Sequence, residues 1–63
     1  MAQRKTTEFR FFTIAEVAKQ LRVSERTVSR WIAAGELKSH KFGAAVRISE
    51  EDYRAFVSMR RSV

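Results

Sequence analysis

At 63 residues the chain is one domain, and a chain this short buries only about 60% of its unfolded surface, which leaves no room for a substrate cavity and its supporting shell. It has no cysteine, so neither disulfides nor thiolate-bound metal brace the fold, and its 44% hydrophobic content, with five Phe, one Trp and one Tyr, is too high for a disordered chain. The net charge of +6 suits a domain that meets a polyanion, and the middle of the chain carries most of it: from Lys19 to Arg47 there are seven basic residues against two acidic ones.

Residues 1–10 are polar and basic without periodicity and are expected to form a flexible arm; the folded domain is expected over residues 11–63, beginning at Phe11 and Phe12. Thr13-Ile14-Ala15-Glu16 has the form of a capping box, with Phe12 placed as a hydrophobic staple. Ile14, Val17, Ala18 and Leu21 repeat at three and four, which predicts a first helix from about Thr13 to Arg22. Val23 interrupts it, and Ser24 is a good N-cap for a second helix running to Ala34, where Gly35 suits the left-handed position that ends helices. Two amphipathic helices joined by two or three residues suggest a helix-turn-helix unit. Ser39-His40-Lys41-Phe42 and Val46-Arg47-Ile48 around Gly43-Ala44-Ala45 predict a small hairpin, which must lean on the helices through Phe42, Val46 or Ile48 because an isolated hairpin is marginal in water. Ser49-Glu50-Glu51-Asp52 opens a last helix, with Tyr53, Phe56 and Val57 as its buried stripe and Arg60-Arg61 at the dipole's negative pole.

The second helix carries the functional signal. Val28, Trp31 and Ile32 form an apolar stripe, while Arg26, Ser29 and Arg30 point elsewhere. Arg26 and Arg30 stand one turn apart, a like-charge pair that costs roughly 0.2–0.5 kcal/mol unless an anion meets it. An α-helix fits the major groove of double-stranded DNA, and Arg binds guanine O6 and N7 through two parallel hydrogen bonds. Ser24, Thr27 and Ser29 can reach phosphate or bases, although Thr27 serves equally well as a cap. The alternative is a solvated helix face with Glu25 and Glu36 as partial counter-charges. Trp31 lies at a stripe position and is read as core, although a Trp can also stack on a base. On the hairpin, Lys38, His40, Lys41 and Arg47 could lie along the DNA backbone or enter the minor groove.

Catalysis finds little footing. His40, the sole histidine, has no Cys and no acid at a useful spacing; Glu50, Glu51 and Asp52 are explained by their place in a first helical turn; and the glycines, Gly35 and Gly43, make no phosphate loop. No catalytic residue, metal ligand or cofactor is expected. No apolar run approaches the eighteen or so residues of a membrane span, and Phe11-Phe12-Thr13-Ile14 is too brief for a signal-peptide core, so the expected setting is the cytoplasm, away from membranes.

Thr13-x-x-Glu16-Val17-Ala18-x-x-Leu21-x-Val23-Ser24-x-x-Thr27-Val28-x-Arg30-Trp31-Ile32-x-x-Gly35-x-Leu37, followed by a Gly-containing hairpin, Arg47-Ile48 and an Asp52 helix, resembles the MerR-like winged helix-turn-helix of excisionase-family DNA-binding proteins. The resemblance spans about Phe12 to Val57 and implies a mainly α fold with a small β-hairpin wing, in the order α-α-β-β-α. It places the second helix in the major groove and matches Arg26, Thr27 and Arg30 to recognition-helix contacts and Arg47 to the basic residue of the returning wing strand. Relatives often carry further Arg or Lys at the wing tip; Gly43-Ala44-Ala45 is uncharged. Small stand-alone relatives resemble excisionases, which bind and bend phage or mobile-element attachment sites, with cooperative contacts between neighbours, and help an integrase reverse its reaction. MerR-type transcription regulators usually carry a long dimerisation helix after this module, and the chain's stop at Val63 favours the excisionase expectation. A small regulator, a phage terminase small-subunit domain and a protein-interaction module docking an acidic partner are the alternatives.

Overall fold

A computed structural model describes residues 10–60. The elements run β1 (Phe11–Phe12), α1 (Ile14–Leu21), α2 (Glu25–Ala33), β2 (His40–Phe42), β3 (Ala45–Ser49) and α3 (Glu50–Arg60). The arm expected over residues 1–10 lies, apart from Arg10, outside the described residues, as does Arg61.

The start of α1 follows its sequence. Thr13 is extended, its hydroxyl accepts the Glu16 N–H at 3.0 Å, and the Glu16 carboxylate accepts the Thr13 N–H at 2.9 Å, closing the capping box. Val17 and Ala18 are its buried residues. The helix breaks one residue earlier than the sequence suggested, at Arg22 rather than Val23. Arg22 takes the left-handed conformation (φ 58°, ψ 45°), its N–H donates to the Lys19 carbonyl, and the Val23 N–H donates to the Ala18 carbonyl at 3.0 Å. This paired closure usually uses glycine, because for other residues the left-handed region costs roughly 1–2 kcal/mol.

The N-cap of α2 is Ser24, whose hydroxyl accepts the Thr27 N–H at 3.1 Å. At the other end Gly35 (φ 80°) donates to the Ile32 carbonyl and Glu36 to that of Trp31, the same closure with the residue that suits it. Leu37, 1% exposed, then enters the core.

The predicted two-stranded hairpin is part of a three-stranded antiparallel sheet in the order β1-β3-β2, so the chain reads β-α-α-β-β-α rather than α-α-β-β-α. Phe11 pairs with Ser49 and Phe12 with Ile48, which gives β3 a partner on both sides and stiffens a hairpin that would be marginal alone. Across the hairpin His40 pairs with Arg47, Lys41 with Val46 and Phe42 with Ala45. Ala45 therefore belongs to β3, and the turn is Gly43-Ala44, with Gly43 at φ 65° as a two-residue hairpin requires at its first position. Ser49 starts α3, accepting the Asp52 N–H at 3.0 Å and donating to its carboxylate at 2.8 Å, while the Arg10 carbonyl accepts the Glu50 N–H.

Val17, Ala18, Val28, Leu37, Ile48 and Phe56 form the buried core, with Phe12, Trp31 and Tyr53 among the part-buried residues packed on it. Of the three hairpin residues expected to lean on the helices, Ile48 does so fully, Val46 is part-buried, and Phe42 is 55% exposed. Phe42 alternates with Lys41 and pairs with Ala45, so it lies on the sheet face opposite Ile48. The architecture is a winged helix-turn-helix: α1 and α2 form the helical pair, α3 closes the core, and β2-β3 is the wing. No helix among the described residues is long and apolar enough to cross a membrane.

Candidate nucleic-acid interface

The two faces of α2 are sharply divided. Val28 is wholly buried and Trp31 and Ile32 are part-buried, whereas Arg26, Ser29 and Arg30 are exposed. Among the described residues no acid pairs with Arg26 or Arg30. Glu36, one of the two acids that might have neutralised this face, is bound instead to Arg60 of α3. The Arg60 guanidinium also lies over the rings of Phe56 and Trp31, at 4.9 and 5.6 Å from their centroids, so both partners are held away from Arg30. Arg26 and Arg30 are therefore without an ion-pair partner among the described residues, and Glu25, next to Arg26 in the chain, is the other acid near this face.

Ser24 and Thr27 spend their hydroxyls mainly on each other. The two oxygens are 3.0 Å apart, and Ser24 also accepts the Thr27 amide. This fixes the first turn of α2 and leaves Ser24 exposed at its N-terminus, where free amides and the helix dipole favour an anion.

On the wing the structure brings His40 and Arg47 together, directly opposite each other on one sheet face, while Lys41 pairs with Val46 on the other and Lys38 is exposed ahead of β2. Arg47 is part-buried and donates to the Val46 carbonyl at 2.9 Å, so its guanidinium is folded back along its own strand. His40 has the acid partner that its sequence neighbourhood lacked: Nε2 is 3.2 Å from Oδ2 of Asp52, which ties the wing to the first turn of α3. Its ring also meets Phe11 edge-on at 5.9 Å and lies 6.5 Å from that of Phe42, inclined to it by 28°. The outer sheet face thus carries an aromatic group, Phe11, His40 and Phe42, although the sequence suggests Phe42 as a core contact and His40 as a DNA-facing residue. The signal was present in the alternation of His40 and Phe42 about Lys41, a period of two.

One cation outside the expected site residues also stands out. Arg22 stands exposed in the turn, and in the chain it lies between Lys19 of α1 and Arg26 of α2, both also exposed. Elsewhere, a shallow apolar groove of about 280 Å³ runs beside Leu21, Val23, Trp31, Phe56 and Val57 under Arg60. No group of His, Cys, Asp and Glu able to hold a metal ion occurs among the described residues.

Residues 11–61 match the family model described as a helix-turn-helix domain. A search of curated proteins finds no match to the chain.

Proposed function

The chain belongs to the helix-turn-helix domain family and is a DNA-binding helix-turn-helix protein; from that premise we propose that it is a sequence-specific architectural factor of the excisionase type, binding and bending duplex DNA at a recombination site. The observation that carries the specific-binding part is the division of α2: its apolar stripe is committed to the core, and Arg26 and Arg30 are exposed with no ion pair among the described residues. A helix held this way has two guanidinium groups free for guanine edges, the phosphates being met at its capped N-terminus. The wing, with Lys38, His40, Lys41 and Arg47, would lie along the adjoining backbone. The excisionase part rests on the resemblance of the Thr13 to Leu37 pattern, and with it come an integrase as partner and cooperative contact between neighbouring copies on DNA. The proposed protein acts in the cytoplasm by binding, with no reaction and no cofactor of its own.

Selection from a random-sequence DNA pool, followed by titration at fixed salt, tests this. A selected duplex should bind at least about 10³-fold tighter than random DNA. Arg30→Ala should lose about 5- to 150-fold on the selected site, the value of one bidentate Arg–guanine contact, and far less on random DNA. Equal affinity of wild type and variant for the selected site would remove α2 as the reading element. Bending of the selected duplex and stimulation of excision by an integrase separate the excisionase reading from a small transcription regulator, whose site would lie in a promoter and need no recombinase.

A further inference from the structure

Three described residues have positive φ: Gly35, Gly43 and Arg22. Two are the residue that adopts this conformation without penalty, and the third carries one of the longest side chains available. The turn itself has no use for that side chain. Its closing bonds, from the Arg22 N–H to Lys19 and from the Val23 N–H to Ala18, are made by backbone and would form equally with glycine. The Arg22 side chain is exposed, with no hydrogen bond and no ion pair among the described residues. The preference of the α1 C-terminus for a cation is already met by Lys19 in its last turn. The fold thus bears strain at Arg22 without a compensating side-chain contact among the described residues.

We infer that Arg22 is a DNA-backbone contact, a guanidinium held at the helix-turn-helix elbow to grip a phosphate flanking the groove entered by α2. The inference rests on the DNA-binding reading and adds to it a residue outside the recognition helix. Arg22 lies two residues before Ser24, the N-cap of α2, and so close in the chain to the first amides of that helix. Lys19 and Arg26 flank it, both exposed; Glu25 is the nearest acid in sequence and pairs with no described cation. A guanidinium binds phosphate through two parallel N–H donors, and a phosphate contact positions the protein without reading sequence. Strain kept at a surface arginine is therefore repaid only when the anion arrives.

The claim separates stability from binding, because the two should move in opposite directions. Arg22→Gly should raise Tm by about 3–6 °C, the left-handed penalty less the extra chain entropy of glycine. The same variant should bind duplex DNA about eightfold more weakly at ~0.1 M salt and lower the slope of log K against log salt by about 0.9, the share of one phosphate. Arg22→Gln, which keeps the strain and removes the charge, should lose the same affinity without the gain in Tm, and Arg22→Lys should retain the salt slope. The loss should be equal on a selected duplex and on random-sequence DNA, leaving their ratio unchanged. Glycine and glutamine variants with wild-type affinity and slope would overturn the clamp. Arg30→Ala tells the two failures apart: if it abolishes site preference while Arg22→Gly is silent, the clamp alone is wrong, and if both are silent the DNA-binding assignment of this face falls with it.

Discussion

Ser24 offers a way to separate folding from DNA binding at a single atom. Its hydroxyl accepts the Thr27 amide at 3.1 Å and sits 3.0 Å from the Thr27 hydroxyl, at the end of α2 aimed at the proposed ligand. Ser24→Ala removes the cap and should cost about 1 kcal/mol. A domain of this length has about 3–9 kcal/mol in all, so Tm should fall by about 4–8 °C. Ser24→Asp restores an acceptor, and the helix dipole favours the new charge, so Tm should return close to the wild-type value. DNA would respond the other way. A carboxylate about 6 Å from a phosphate in a water-like dielectric is repelled by about 0.7 kcal/mol, roughly threefold in affinity, and two flanking phosphates bring the loss to about tenfold. Thermal melts by circular dichroism and titrations by fluorescence anisotropy at one salt concentration read both quantities. A Ser24→Asp protein that melts and binds like wild type would show that phosphates do not approach this end of α2, and the placement of the helix on DNA would have to be abandoned.

Two further substitutions probe the frame that holds α2. Ile48→Ala removes a wholly buried side chain at the centre of the sheet and should cost about 2–5 kcal/mol, a large part of the total, so that urea melts show a partly unfolded protein at room temperature. Gly35→Ala introduces a Cβ with no atom within 4 Å of it, so any destabilisation comes from its left-handed backbone, less the chain entropy that glycine loses on folding; a loss of about 0.5–1 kcal/mol in urea is expected, and a gain in stability would contradict the strain argument that also applies to Arg22.

Local rules made the helices legible. Thr13 with Glu16, Ser24 with Thr27, Ser49 with Asp52, and Gly35 after Ala34 each act over a few residues, and each cap or stop stands where its residue type demands. The division of α2 into Val28, Trp31 and Ile32 against Arg26 and Arg30 was legible for the same reason, since a period of 3.6 is a local property. What escaped depends on distance or on a conformation that the residue type conceals. β1 is two residues long and exists only because Ile48 and Ser49, far along the chain, give it a ladder. The His40–Asp52 and Glu36–Arg60 pairs join separate elements, and no spacing rule connects them. Arg22 hides a glycine-like conformation behind a residue that signals a helix, which is why the break was placed at Val23.

The placement of the acids explains why so small a fold can present a basic face. Among the described residues Glu16 is used in the α1 cap, Glu36 is bound to Arg60, Glu50 to Arg54, and Asp52 to His40 and Ser49. Of the three ion pairs, two hold the wing and the segment after α2 against α3, and the third lies within α3; none touches Lys19, Arg22, Arg26 or Arg30. Exposed pairs of this kind add little stability, under about 1 kcal/mol each, so their consequence is chiefly electrostatic. They draw Glu36, Glu50 and Asp52 toward α3 and leave Lys19, Arg22, Arg26 and Arg30 without an ion-pair partner among the described residues, with Glu25, in the first turn of α2, as the acid that remains near them in sequence. Within about a Debye length, ~10 Å at 0.1 M salt, a phosphate near α2 then meets guanidinium groups that no described acid pairs, which favours approach by this face before any base is read.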